Sequence, residues 1–351
     1  MEESPLGSAG ALFLLRDKLT EDFLLLNGDI VFDIDVSAFW RYHREKGGLV
    51  TLFTHPNNHP YDSGIIIADG EGRVQNWLHK EDERLWYRNR VNAGIHLLSP
   101  QIFDDPAGVG IFKELKKTDL DRDVLKPLIP TGRVFVYDSP EYVKDMGTPD
   151  RYAAVTEDMK VGRVQAKNRK NLQKAVFLDR DGTVNRHDGF LTNIDDFVLL
   201  EGVAEAIKRI NAAGYLAIVI TNQPVIARGE VTFEELDVIH QKMETLLGRE
   251  GAYLDAVYFC PHHPHKGYAG EVPELKIECA CRKPKPGMIL QAAKDFHVDL
   301  SQSWMIGDAE NDILAGKSAG CKTALISETE RDVGQDVTCA SVLEFVKSSL
   351  I

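Results

Sequence analysis

Asp179 and Asp181 stand two residues apart at the end of an apolar run, in LDRDGTVN (178–185), with Gly182 and Thr183 directly after them. Two carboxylates so placed at the tip of a strand can share a divalent cation and one phosphate. Aspartate is a poor nucleophile toward a dianionic phosphate unless a metal offsets the repulsion. Mg2+, held by one or two carboxylates, waters and substrate oxygens, is the usual means. The second carboxylate can then protonate a leaving oxygen and later activate water. Alone, the segment reads equally well as turn chemistry, since Asp and Gly are turn formers.

It does not stand alone. Thr221 and Asn222 close the run YLAIVIT (215–221) with a hydroxyl and an amide, Arg282 and Lys283 in CRKPKPGM precede a helical segment, and Asp308 leaves another apolar run in IGDAEND. Asp312 is a further candidate; its other reading is an exposed helix acid that supports Lys283 or does nothing. A second constellation is Cys260-Pro-His262, followed after the stretch 263–278 by Cys279-Ala-Cys281. Three thiolates and one imidazole match a closed tetrahedral Zn2+ site. The competing reading is buried free thiols close in sequence. His263 and His265 are alternative ligands that read better as loop residues. The intervening stretch has little apolar content, so a metal clip would shape it and set the neighbouring Arg282 and Lys283, a structural and not a catalytic role.

The elements that must carry these residues follow from the pattern. KAVFLD (174–179), YLAIVIT, AVYF (256–259), SWMIGD (303–308) and TALI (323–326) are short, rich in β-branched and aromatic residues and flat in periodicity, as buried parallel strands are. Helical segments lie between them. One starts at Thr232 with Glu235 three residues on, a capping box, and places Leu236, Ile239, Met243 and Leu247 on one face. Strand–helix alternation implies an α/β parallel sheet with ligands at the carboxyl ends of its strands. The first half is α/β but less regular. FLLLNGD (23–29) and GLVTLFTH (48–55) read as strands around a helix near 36–46, and GIIIAD, RVQNWL, GIHLLS and RVFVYDS add shorter strands of a mixed sheet.

Composition bounds the rest. The chain has 351 residues, a prior of about two domains. At 43% hydrophobic and 27% charged it is not disordered throughout. A net charge of -13 argues against nucleic acid and anionic membrane as partners, and leaves phosphorylated small molecules, for which a few cations suffice. No apolar run approaches roughly 18 residues, so no membrane-spanning helix is expected. The acidic start MEESPLGSAG is unlike a signal peptide, and five cysteines make no disulfide framework; the expected location is cytoplasmic. The basic stretch KVGRVQAKNRKNLQK (160–174) marks the boundary: a first domain over 1–159, a linker over 160–173 and a second domain over 174–351.

The order nucleophile, hydroxyl, cation, acidic ligand, each at a strand end, resembles the haloacid dehalogenase-like (HAD) phosphohydrolases over about 172–330. The resemblance implies a Rossmannoid sheet, Asp179 as the nucleophile that becomes an aspartyl-phosphate, and Asp181 as general acid and base that also offers Mg2+ its backbone carbonyl. Thr221 would bind the phosphoryl oxygens, Lys283 would neutralise charge, and Asp308 would hold Mg2+ beside Asp179. The zinc cluster narrows the likeness. DRDGTVN, GFLTNIDDF (189–197), TNQ…IARG (221–229), CPHHP and CACRKPKPGM resemble the D-glycero-D-manno-heptose 1,7-bisphosphate 7-phosphatases and, less closely, the histidinol-phosphate phosphatases. Both have a small zinc loop and no large cap. Asn222, Arg228 and Arg282 would then contact substrate. Pro224-Val225 stands where that family usually has Ser-Gly, and Ala309 where Lys is common, departures that bear on specificity and rate.

SPLGSAG (4–10), LLLNGD with Asp29, NAGIHLL (92–98) and VKDMGTPDRY (143–152) resemble the sugar-1-phosphate nucleotidyltransferases. The resemblance implies Mg2+ on Asp29 and Asp145, Asn92 and Gly94 facing a sugar, and Lys80 near a sugar phosphate. That family opens with a Gly-rich phosphate-binding loop, whereas this chain begins at SPLGSAG. The expectation is a partial domain, inactive in isolation, that binds nucleotide or nucleotide-sugar only if completed. Together the two halves imply a Mg2+-dependent, zinc-stapled heptose bisphosphate phosphatase fused to a partial nucleotidyltransferase, with a lean toward the α-anomer. The alternatives are a histidinol-phosphate phosphatase and a non-catalytic nucleotide-sugar-binding scaffold.

Overall fold

The computed structural model describes residues 5–105, 114–187 and 189–350, so Ser4 of the SPLGSAG segment lies outside the described residues. The chain forms two units. The first comprises Met1–His55, Asp62–Arg84 and Arg90–Gln165; the second comprises Pro56–Tyr61, Leu85–Asn89 and Ala166–Ile351.

In the first unit the apolar runs become β1 (Phe23–Leu26), β2 (Ile30–Asp33), β3 (Val50–His55), β4 (Ile65–Ala68), β5 (Val74–Leu78), β6 (Val91–Leu98), β7 (Val134–Asp138) and β8 (Tyr142–Asp145). The sheet is mixed, as expected. Its order is β5-β4-β6-β3-β7 with β1 also on β6, and among the described residues only β3 and β7 run parallel. The helix Val36–Lys46 falls on the expected segment, capped by the Asp35 side chain and ended by Gly47 in the left-handed region. β2 and β8 were not anticipated as a separate two-stranded ladder; each is four residues long, too short for a period to declare itself.

In the second unit the five expected strands are β9 (Ala175–Leu178), β10 (Leu216–Asn222), β11 (Ala256–Cys260), β12 (Trp304–Gly307) and β13 (Lys322–Ile326), and a sixth, β14 (Val337–Cys339), joins the edge. All pairings are parallel, in the order β11-β10-β9-β12-β13-β14. Counted from its own first strand, this is the doubly wound order in which the winding reverses between first and fourth strands. β9 and β12 are therefore neighbours, with a crevice at their carboxyl ends.

Both faces of this sheet are covered, which is why its strands look flat in periodicity. Val176, Leu178, Val219 and Ile306 pack with Ile207, Ile239 and Met243 on one side. Phe177, Ile218, Ile220 and Met305 pack with Met288, Ile289 and Ala292 on the other. The helix Phe233–Arg249 carries the predicted capping box between Thr232 and Glu235, and Leu236, Ile239, Met243 and Leu247 are all buried. Among the described residues no helix is long and apolar enough to cross a membrane.

Candidate active site

β9 delivers Asp179 to the crevice, and the Asp179 N–H donates to Ile306 O of β12 (2.8 Å), so the two strand ends are tied together where the acidic residues emerge. Oxygens of Asp179, Asp308 and Asp312 lie within 4.8 Å of one another. Two glycines make room. Gly182 has φ +83°, and a Cβ there would lie 2.2 Å from Asp308 Oδ2; a Cβ on Gly307 would lie 2.2 Å from Asp312 Oδ2.

Lys283 is the cation among these acids. Its Nζ is 2.6 Å from Asp179 Oδ1 and 2.6 Å from Asp312 Oδ1, and donates to Ile220 O at 2.8 Å. Asp312 is only 1% exposed, which corrects its reading as an exposed helix acid; its Oδ2 accepts from the Ala309 N–H, the backbone of its own N-cap. Burial works against the Lys283 ammonium, but Asp179 and Asp312 outweigh it and hold it above its ordinary range. Burial, with Asp312 adding to it, pushes the Asp179 carboxyl up to about 7 against the pull of Lys283. Burial and the charge of Asp179 also raise Asp308. Three carboxylates around one ammonium leave excess negative charge, an environment suited to a hard divalent cation with oxygen ligands.

Asn222 is bonded to the backbone of the cation. Its Nδ2 donates to Lys283 O and its Oδ1 accepts from Lys283 N, both at 3.0 Å, so its amide clamps the lysine backbone. Thr221, 1% exposed, accepts from Gln223 Nε2 at 2.9 Å. The same Gln223 nitrogen donates to Asp181 Oδ2 at 2.9 Å. The Asp181 carboxylate is thus turned toward Gln223, Asn185 (3.0 Å) and Arg180 (2.9 Å), outside the acidic trio. Sequence reasoning passed over Arg180, Asn185 and Gln223; the signal was their position inside or beside the acidic and hydroxyl motifs. Thr183 Oγ1 is buried and has no hydrogen-bond partner among the described residues.

Arg228 lies between two rings, 4.1 Å from the Phe190 centroid and 4.6 Å from that of Tyr268, with Lys276 over the same Tyr268 ring at 4.4 Å. Arg228 Nε is buried without a hydrogen-bond partner among the described residues. Arg282 donates to His262 O at 3.3 Å, which fastens it to the cysteine loop.

Cys260, His262, Cys279 and Cys281 come together with all four donor atoms within 4.8 Å. Sulfur–sulfur distances are 3.2, 3.3 and 3.5 Å, and His262 Nδ1 is 3.3 Å from Cys281 Sγ. A tetrahedral Zn2+ with S and N ligands implies edges of about 3.5–3.8 Å, so the donor set fits that ion after small relaxation. Burial pushes the Cys260 thiol up, so a metal is what would draw out its thiolate. His263 and His265 are outside this group, and their rings pack on each other at 5.2 Å.

In the first unit the β2–β8 ladder pairs Ile30 with Asp145, and the Met146 N–H donates to Asp29 O at 2.8 Å. Asp29 and Asp145 therefore come together; a Cβ on Gly147 would touch both carboxylates, at 3.7 and 3.5 Å. Asp145 also receives Arg151 Nη1 at 2.9 Å. Gly94, at φ +73°, lets the backbone pass close to Asn27, and Asn92 Oδ1 accepts from His96 Nε2 at 3.0 Å. Asp121, not anticipated, is pushed up to about 6 by burial and Asp119, with Asn92 bonded to it. Lys80 is exposed in a turn.

Residues 280–340 match the HAD-hydrolase-like family model, and residues 1–161 match the nucleotidyl transferase model. The chain is 44% identical over 170 residues to the D-glycero-alpha-D-manno-heptose-1,7-bisphosphate 7-phosphatase of Burkholderia mallei (strain ATCC 23344), covering 48% of this chain and 87% of the relative. It is 41% identical over 166 residues to the D-glycero-beta-D-manno-heptose-1,7-bisphosphate 7-phosphatase of Pasteurella multocida (strain Pm70), covering 47% and 87%. A solved D,D-heptose 1,7-bisphosphate phosphatase from B. bronchiseptica, complexed with magnesium and phosphate, is 32% identical with a TM-score of 0.43, over 50% of this chain and 97% of that one.

Proposed function

The chain belongs to the family of the D-glycero-D-manno-heptose-1,7-bisphosphate 7-phosphatases, and from that premise we propose that it removes the 7-phosphate of such a bisphosphate through an aspartyl-phosphate on Asp179. The observation that carries this reading is Asp179 at the tip of β9, 2.6 Å from a buried lysine and grouped with Asp308 and Asp312.

Asp179 attacks phosphorus and the bond from phosphorus to the C7 oxygen breaks, with Asp181 supplying a proton to that oxygen. Water then attacks the phosphoryl group, Asp181 takes the proton, and the bond to Asp179 breaks to release inorganic phosphate. Thr221 and Lys283 donate to the phosphoryl oxygens. Mg2+, held by Asp179, Asp308 and the Asp181 carbonyl, would offset the repulsion between carboxylate and phosphate. Asp312 anchors Lys283. Arg228 and Arg282 meet the remainder of the substrate, and Asn222 acts through Lys283. A structural Zn2+ on Cys260, His262, Cys279 and Cys281 would shape the loop that carries Arg282.

We assign residues 1–159 to a nucleotidyltransferase-type domain, 160–173 to a linker and 174–351 to the phosphatase. The product, a heptose 1-phosphate, is the kind of molecule that a nucleotidyltransferase activates. Asp29 and Asp145 would hold a divalent cation there, with Asn92 and Gly94 toward the sugar. Titration with GTP and a GDP-sugar tests binding at that site.

The phosphatase test measures phosphate release from the α- and β-heptose 1,7-bisphosphates and from histidinol phosphate. Wild type is expected to prefer a heptose bisphosphate, and Asp179→Asn to be slower by a factor on the order of 10^3 or more. Equal rates for the two proteins, or a preference for histidinol phosphate, overturn the reading.

A further inference from the structure

Arg180 is fully buried, 0% exposed, between the two aspartates of the active-site strand end. A buried guanidinium carries a desolvation cost that only charge and well-aligned acceptors offset. Two of its three nitrogens are directed at one neighbour. Nη2 lies 2.9 Å from both Asp181 oxygens, and Nε is 3.1 Å from Oδ1. Nη1 faces His240 Nε2 at 3.2 Å, and that imidazole is itself 0% exposed on the helix Phe233–Arg249. Asn185 and Gln223 also donate to the carboxylate, at 3.0 and 2.9 Å, and the Asp181 side chain keeps 17% exposure. Asn185 is fixed in turn by Arg186 O (2.7 Å), and Gln223 by Thr221. The described contacts of Arg180 include none to Asp179, Lys283 or Asp308.

We infer that Arg180, backed by His240, is a positioning residue that sets the Asp181 carboxylate for proton transfer and leaves the nucleophile untouched. The inference rests on the phosphatase reading above. Its physical basis is geometric. A bidentate fork specifies both oxygens of a carboxylate, where a single donor would leave the group free to turn. Proton delivery to a leaving oxygen depends on such placement.

An acid is needed only when the leaving oxygen is a strong base. A sugar alkoxide needs it; p-nitrophenolate departs without a proton. The test compares kcat/KM of wild type and Arg180→Met on heptose 1,7-bisphosphate and on p-nitrophenyl phosphate. We expect the bisphosphate value to fall by a factor on the order of 10^2 or more, and the aryl phosphate value by less than about 5-fold. Equal falls on both substrates, or no fall on either, overturn the inference. Should Arg180→Met not fold, Arg180→Lys and His240→Leu carry the same two-substrate comparison, with the same selective loss expected and the same outcomes against it. Failure of the underlying reading looks different, because Asp179→Asn would then match wild type on both substrates.

Discussion

Asn222 and Lys283 are joined end to end: the amide of Asn222 both donates to and accepts from the lysine backbone, each at 3.0 Å. One polar side chain at the end of β10 thereby fixes a residue sixty-one positions later. Asn222→Ala removes both bonds and leaves two backbone groups beside a buried lysine unsatisfied. A loss of roughly 1–3 kcal/mol is expected, seen as a lower Tm. kcat should fall while the bisphosphate KM moves little, because the substitution loosens the cation and not a substrate contact. A large rise in KM with kcat unchanged would instead make Asn222 a binding residue.

Gly182→Ala tests the crowding beneath Asp308. The new Cβ would lie 2.2 Å from Asp308 Oδ2, on a backbone at φ +83°. Strain of about 1–3 kcal/mol is expected. Because the nearest atom is the proposed metal ligand, the Mg2+ concentration for half-maximal activity should rise. Melting curves together with a Mg2+ titration check it, and wild-type values in both would remove the steric argument.

The cysteine cluster predicts one Zn2+ per chain by elemental analysis. Cys281→Ser or strong chelation should open the loop 263–278 to protease before the rest of the chain, since that segment has little regular structure beyond the short turn Pro273–Leu275. Activity should fall with it through the displaced Arg282. Metal-free protein with full activity and an intact loop would refute the clip.

Burial holds His96 down to about 3, and burial with Arg180 and Arg88 nearby lowers His240 well below its usual range. Below pH 6.5 the unfolded chain binds protons that the folded chain refuses, so these groups withdraw stability as the pH falls from about 6.5 toward 3. Denaturant unfolding at pH 7.5 and 5 should show the loss, and His96→Gln should reduce it. A variant with the wild-type pH slope would show that His96 contributes nothing to it.

The sheet of the second unit could be read from sequence because both of its faces are buried, which turns each strand into a short apolar run. β14 escaped because three residues at an edge leave no such run. The ladder between β2 and β8 escaped for the same reason, although Asp29 and Asp145 were already singled out at its ends. Residues that meet substrate or metal announce themselves by type and motif. Those that hold them do not: Arg180, Asn185 and Gln223 acquire meaning only when folding turns the Asp181 carboxylate toward them. Asp312 was readable as an acid near Lys283, but its burial comes from the first turn of the helix Glu310–Ala319, which periodicity could not settle.

The unit that carries the phosphatase site also includes Pro56–Tyr61 and Leu85–Asn89. Within it Arg88 meets Glu244 and Asp237, each at 2.7 Å, and the Asn89 N–H reaches the other Glu244 oxygen at 2.9 Å. Glu244 is 1% exposed. Fragment 166–351 lacks Arg88 and Asn89, so Glu244 would lose both partners while the helix face they cover would open to water. The full chain should melt higher than fragment 166–351, and Arg88→Met in the full chain, which leaves Glu244 covered and without its counter-ion, should also lower Tm; a variant and a fragment with the Tm of the full chain would show that these contacts add nothing. Two short segments from the first half of the sequence thus take part in the packing of the second unit, whose boundary in space is not a single point along the chain.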